Sequence, residues 1–217
     1  MDITDFSTTS SLISQYMTEL RDVNVQKDSM RFRKNIERIG EIMAYEISKT
    51  LRFKTIDIAT PLCDTKAEVI DDSIVLATIF RAGLPFHAGF LNFFDKAENA
   101  FVSAYRKYKE KGDFEVCIEY LASPRIDGKT LILCDPMLAT GISMEMSYRA
   151  LLTKGTPAKV HVASIVSSRQ AIEYVKNHFP DDSTSVWTAT IDPTLNDHSY
   201  IVPGLGDAGD LAFGTKD

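Results

Sequence analysis

The chain has 217 residues, of which 44% are hydrophobic and 25% charged, the balance of a globular protein built as one large domain or as one domain with an appended part. Its formal net charge of -6 argues against a general nucleic-acid binder, since those present a basic face. No stretch approaches the ~20 apolar residues of a membrane span, and the opening "MDITDFSTTSSLISQYM" lacks the basic start and apolar run of a signal peptide, so a cytoplasmic protein without membrane partners is expected. Its three cysteines, Cys63, Cys117 and Cys134, show no CxxC or Cys/His spacing. They read as reduced thiols, with Cys134 packed in a strand.

In chain order, Ser10 to Leu20 is compatible with a short helix. A longer helix is predicted from about Ser29 to Thr50, where Phe32, Ile36, Ile39, Met43 and Ile47 recur at spacings of three and four and form one apolar stripe. Either Asp28 or Ser29 can cap its start. "RFKTIDIAT" alternates in part and predicts a half-buried strand, stopped by Pro61. "SIVLATIF" is a continuous apolar run, the mark of a central strand covered on both faces. It ends at Arg81-Ala82-Gly83, and a short helix is expected from Leu84, with Pro85 in its first turn.

"AFVSAYR" and "FEVCIEYL" predict two strands on either side of the polar stretch Lys107 to Asp113, paired as an extended hairpin. "KTLILC" is again wholly apolar. A helix from about Ile142 to Lys154 follows, stopped by Gly155. "AKVHVASIV", a helix from Ser168 to His178, and "SVWTATI" continue the alternation. The fold class is therefore α/β, with a mainly parallel twisted sheet flanked by helices. Ligands of such sheets gather at the carboxyl ends of strands, which points to Arg81, to Asp135 and to the residues after Val186–Ile191.

The stretch "LILCDPMLATGIS" runs a strand into a lone carboxylate and then into a helix. Asp135 could accept hydrogen bonds from two neighbouring hydroxyls, such as those of a ribose. Ala139, Thr140 and Gly141 turn the chain, and the first N–H groups of the following helix suit a phosphate. A plainer reading stands beside it: Asp135-Pro136 makes a turn, and Thr140 or Ser143 merely caps the helix. Residues 107, 109 and 111, all lysines, together with Arg106, form a cationic cluster on the hairpin loop. It is either a solvated tip or a flap able to close over an anion. Gly204, Gly206, Gly209 and Gly214 mark a terminal segment that turns sharply or lies close to a ligand. Ile201, Val202, Leu205 and Phe213 in the same segment ask to be packed, unlike a loose tail.

"DPMLATGIS" resembles the phosphoribosyl-pyrophosphate loop of the type I phosphoribosyltransferases, and its single acid resembles the uracil phosphoribosyltransferase branch. "YIVPGLGDAGDLAFGTKD", Tyr200 to Asp217, resembles the uracil-binding segment of the same family. "FRAGL", "AYRK", "RFR" and "AYE" match in order and rough spacing, so the resemblance covers nearly the whole chain. It implies a single domain over 1–217, with a core of about 55–190. A hood would be formed by the terminal segments, including the base-binding residues 191–217, and by the extended β-hairpin.

The resemblance further implies transfer of 5-phosphoribosyl from phosphoribosyl pyrophosphate to uracil N1, giving UMP and pyrophosphate. The donor would be bound by Arg81, Arg106, Asp135, Pro136, Met137, Leu138, Ala139, Thr140, Gly141, Ile142, Ser143 and Asp207. Uracil would be held by Ile201, Gly206, Asp207 and Ala208, largely through backbone groups. Asp207 and Arg106 would serve the chemistry, Asp207 either by steadying charge near C1 or by helping remove the uracil proton. Mg²⁺ would enter mainly on the donor's own oxygens. A homodimer or larger homo-oligomer is implied, and for some members of the family a GTP effector. The alternatives are a phosphoribosyltransferase for another base, or an RNA-binding pyrimidine regulator on the same fold. One departure bears on the loop: the family usually has a small residue where Ile142 stands. A helical conformation there tolerates isoleucine, whereas a positive φ would make it costly.

Overall fold

The computed structural model describes the backbone of residues 1–108 and 114–216, and the side chains of those residues except 105–108 and 114–117. In chain order the elements are β1 (Asp2–Asp5), α1 (Leu12–Arg21), α2 (Ser29–Ser48), β2 (Phe53–Ala59), β3 (Asp64–Ile70), β4 (Ile74–Phe80), α3 (Gly83–Phe93), β5 (Glu98–Tyr108), β6 (Phe114–Ala122), β7 (Thr130–Cys134), β8 (Met137–Leu138), α4 (Ile142–Leu152), β9 (Lys159–Ser168), α5 (Arg169–His178), β10 (Thr184–Asp192), β11 (Thr194–Leu195), β12 (Ile201–Val202) and α6 (Ala208–Phe213).

The apolar stripe of α2 does what its spacing demands: Phe32, Ile36, Ile39, Met43 and Ile47 are all buried. Of the two possible caps, Asp28 is the one used, its side chain accepting from the Arg31 amide. Ser11 caps α1 in a reciprocal box with Ser14. Two glycines set how closely α2 meets α3. A β-carbon on Gly89 would lie 2.1 Å from the Glu37 carbonyl oxygen, and one on Gly40 would lie 2.6 Å from that of Phe86. The helices are thus in backbone-to-backbone contact.

One eight-stranded sheet runs β1-β10-β9-β7-β4-β5-β6, with β8 also paired to β9. Every pairing in it is parallel except β5 with β6. Strands β4 and β7 alternate their side chains between two apolar clusters. Leu76, Ile132 and Cys134 face α1, α2 and α3, together with Ile201, Leu205, Ala208 and Ala212 of the C-terminal segment. Val75, Ala77, Leu131 and Leu133 face Met144, Tyr148 and Leu151 of α4 and Ile172 and Val175 of α5. Coverage on both faces explains the unbroken apolar runs.

Two features differ from the sequence expectations. The segment expected to be a half-buried strand, β2, is almost wholly exposed and pairs only with β3, as a separate two-stranded ribbon. Its alternation reflects ribbon pairing in solvent rather than a core face. The edge strand β1, with the sequence Asp-Ile-Thr-Asp, was not expected, and it pairs in parallel with β10. Among the described residues no helix is long and apolar enough to cross a membrane.

Candidate functional site

Strand β7 delivers Asp135 to the carboxyl end of the sheet. The Asp135 amide donates to the Ala163 carbonyl at 3.1 Å, and its Oδ1 accepts from the Met137 amide at 3.1 Å. The Pro136 carbonyl accepts from the amides of both Ile165 and Val166, so the loop is fastened along β9. Leu138 is buried beneath it, paired through β8 with Ser167. Ser168 adds a further fastening, its Oγ donating to the Ala139 carbonyl at 2.5 Å while capping α5.

Gly141 stands at the N-cap of α4 with φ 85°, and no side chain caps this helix start. Thr140 Oγ1 lies 3.4 Å from the Ile142 amide, and Ser143 makes no cap. The plainer reading therefore holds in part: Asp135 makes the turn by accepting from the Met137 amide, and Thr140 accepts, at long range, from the first helical amide. The positive φ falls on glycine, and Ile142 is simply the first helical residue. Against Gly141 lies the Tyr174 ring, whose hydroxyl donates to Glu145 Oε2 at 3.0 Å. Burial raises the Tyr174 pKa above its ordinary value, and the Glu145 carboxylate adds to the rise. Behind the loop, burial pushes the Cys134 thiol up to about 12, so it is protonated and inert.

Arg81 emerges from β4, the strand paired beside β7. A β-carbon on Gly83, two residues on, would lie 3.4 Å from the Cys134 carbonyl oxygen, so the two strand ends abut. Arg81 reaches the C-terminal segment, donating from Nη2 to Asp210 Oδ1 at 2.6 Å and from Nη1 to the Gly214 carbonyl at 3.0 Å. Asp207 caps α6, its Oδ1 accepting from the Asp210 amide at 2.9 Å. A cleft of about 440 Å³ opens along this wall, lined by Gln26, Leu205, Gly206, Asp207, Asp210, Leu211, Gly214 and Thr215.

Of the residues expected to hold a base, Gly206 and Asp207 line this cleft. Ile201 and Ala208 are 4% and 2% exposed, with their side chains in the core beneath it. Arg81 is brought to the same wall, and Met137 and Ala139 pack against the cluster that holds Ile201, Leu205 and Ala208. The side chains of Arg106 and Lys107 and the whole of Lys109 and Lys111 lie outside the described residues. The Arg106 backbone is in β5, opposite Val116 of β6.

Sequence reasoning missed the residues that tie this segment down. Gln26 donates to the carbonyls of Leu20 and Leu205, and Arg33 donates to the Ala212 carbonyl at 2.6 Å while its guanidinium stacks over Phe213. The missed signal was slight: Gln26 sits in an ordinary polar linker, and Arg33 on the polar side of an amphipathic helix. The short helix α6 was also hidden, because Gly209 within it reads as turn.

A family profile described as uracil phosphoribosyltransferase matches residues 7–215. The chain is 57% identical over 216 residues to a uracil phosphoribosyltransferase of Porphyromonas gingivalis, covering all of both chains. It is 40% identical over 205 residues to one of Methanothermobacter thermautotrophicus, covering 94% of this chain and 92% of that one. Among solved structures, the AQ2163 protein of Aquifex aeolicus superposes with a TM-score of 0.86 at 27% identity, over 98% of each chain. A hypoxanthine phosphoribosyltransferase of Staphylococcus aureus shares the fold at a TM-score of 0.50, over 86% of this chain and 84% of that one. With a strand-end acid, a glycine-led helix start and a glycine-rich cleft gathered at one end of a parallel sheet, and with relatives matching along its full length, this chain belongs to the uracil phosphoribosyltransferase family.

Proposed function

We propose that the protein joins uracil N1 to ribose C1 of phosphoribosyl pyrophosphate, forming UMP and releasing pyrophosphate, as a pentosyltransferase of pyrimidine salvage. One observation carries the reading. Arg81, on the strand beside the one that ends in Asp135, is hydrogen-bonded to the segment that walls the glycine-rich cleft. A donor seated at the strand ends would therefore meet a base in the cleft.

In this reading Asp135 accepts from the ribose hydroxyls. The 5-phosphate lies on the N–H groups from Ala139 to Ser143, where Gly141 lets the backbone approach. Pro136, Met137 and Leu138 hold that loop's course along β9. Arg81 offers a forked, permanently charged donor to the pyrophosphate, and Arg106 would act from the hairpin. Gly206 and Asp207, with the backbone at Ile201 and Ala208, face the uracil edge.

Departure of pyrophosphate leaves an oxocarbenium-like sugar, and no covalent enzyme intermediate is needed. The rate gain comes from positioning and from charge placed where it develops. Asp207 either steadies positive charge near C1 or takes the uracil proton. Among the described residues no cluster of three or more His, Cys, Asp or Glu could hold a metal. Mg²⁺ would instead arrive on the donor's own oxygens and would supply charge neutralisation to the leaving pyrophosphate. A cytoplasmic location, a homo-oligomeric state and a GTP effector complete the proposal. The test is UMP formation from labelled donor with a panel of bases, with and without Mg²⁺. Uracil alone should be turned over, and preference for a purine or for another pyrimidine would overturn the assignment.

A further inference from the structure

Downstream of β10 the chain must turn from the sheet into the cleft wall, and the turn is gripped by an ion pair that the catalytic reading does not use. Asp192, at the end of β10, is 4% exposed. Its Oδ1 accepts from Arg21 Nη2 at 2.7 Å and its Oδ2 accepts from the Gly204 amide at 2.8 Å. Arg21 Nη1 donates in turn to the Gly204 carbonyl at 3.3 Å. Arg21 and Asp192 thus hold both polar groups of one residue. That residue has φ 57°, and a β-carbon there would strike the Ile201 carbonyl oxygen at 2.1 Å. It stands between Ile201 and Gly206, two of the positions read as facing uracil.

We propose that Arg21 and Asp192 are positioning residues for uracil: they clamp Gly204 so that the backbone from Ile201 to Gly206 presents its donors and acceptors in one fixed register. The proposal rests on the reading of residues 201–208 as the base site. Recognition by backbone groups tolerates little drift, because a hydrogen bond weakens steeply once its angle opens. Neither residue lines the cleft, so their effect on uracil must pass through the turn. The donor's phosphate loop is fastened separately, to β9 and Ser168, and Arg81 meets the C-terminal segment beyond the clamped turn, at Asp210 and Gly214, so the clamp acts on uracil rather than on the donor.

The experiment is steady-state kinetics on the full chain with both substrates varied, beside thermal melts. Arg21→Ala should raise the uracil KM about tenfold, the size expected for losing a charge-assisted bond, with the donor KM unchanged. Arg21→Lys, which keeps the charge on Asp192 but loses the second arm to Gly204, should recover part of that loss. Should Arg21→Ala fail to fold, Asp192→Asn keeps the shape but leaves one acceptor where two are used, so either the Arg21 or the Gly204 contact is lost, and a rise confined to the uracil KM is expected. Both KM values rising together, or a lowered melting temperature with both unchanged, would overturn the clamp. Gly206→Ala is the control. If it raises the uracil KM while Arg21→Ala does not, the clamp fails and the base site stands. If neither variant moves it, the base site falls and takes the clamp with it.

Discussion

Replacing Gly141 by alanine perturbs the donor loop at a single backbone position, and the structure fixes the cost. At φ 85° an L-residue loses ~1–2 kcal/mol in the left-handed region. The new methyl would lie 2.7 Å from Tyr174 Cδ1 and 3.1 Å from its Cβ and Cγ, well inside ordinary contact, and crowding of that kind costs ~1–3 kcal/mol. Stiffening of the unfolded chain returns ~0.4–1 kcal/mol. A net loss of about 1–5 kcal/mol follows, which for a chain of this size lowers Tm by roughly 2–20 °C. Because the loop must reshape to relieve the clash, the donor KM should rise roughly tenfold or more, with the uracil KM little changed. Chemical denaturation and two-substrate kinetics measure both effects. Adding Tyr174→Ala in a double-mutant cycle separates the two causes, since the clash couples to the ring and the φ penalty does not. A Gly141→Ala protein with wild-type Tm and wild-type donor KM would refute the reasoning outright.

Other perturbations test different parts of the structure. Arg81→Ala removes an ion pair whose partners are about a third exposed, so stability should change by only ~0–1 kcal/mol, while the donor KM rises steeply; the same melts and kinetics decide it. His161 is fully buried beside Trp187, and burial lowers its pKa to about 4. The unfolded chain therefore binds the proton first as pH falls. Stability should drop by ~3 kcal/mol between pH 6.5 and about 4, and His161→Gln, which keeps an acceptor for Trp187, should flatten that slope in denaturant titrations. Peptide mapping after thiol alkylation at pH 8 should find Cys63 modified and Cys134 untouched until the protein unfolds, because one is exposed and the other buried with its thiol held up to about 12. Labelling of Cys134 in the native protein would show that β7 opens.

What could be read from the sequence divides by mechanism. The stripe on α2 and the apolar runs of β4 and β7 were legible because burial leaves a periodic mark in side chains. Asp135, Gly141 and Arg81 were legible because strand ends and glycine announce themselves in an α/β alternation. Strand β1 was not, since its pairing with β10 is made by backbone groups and its four residues carry a single apolar side chain, Ile3, among polar ones. The exposure of β2 was misjudged for a related reason: alternation tells which residues share a face, but not whether anything covers it. Arg21, Gln26 and Arg33 act on carbonyls some 180 positions away, and an arginine on a polar helix face looks the same whether it meets solvent or a carbonyl.

The touching backbones of α2 and α3 carry a consequence of their own. One of these helices begins just after Arg81, and the other extends Arg33 to the C-terminal segment. Their separation at Gly40 and Gly89 works as a gauge block, and any bulk inserted there would wedge apart two walls that it never touches. A screen scored on turnover should therefore find these positions as intolerant as the pocket itself, and a search for inactivating substitutions would map the scaffold's spacing as readily as its chemistry.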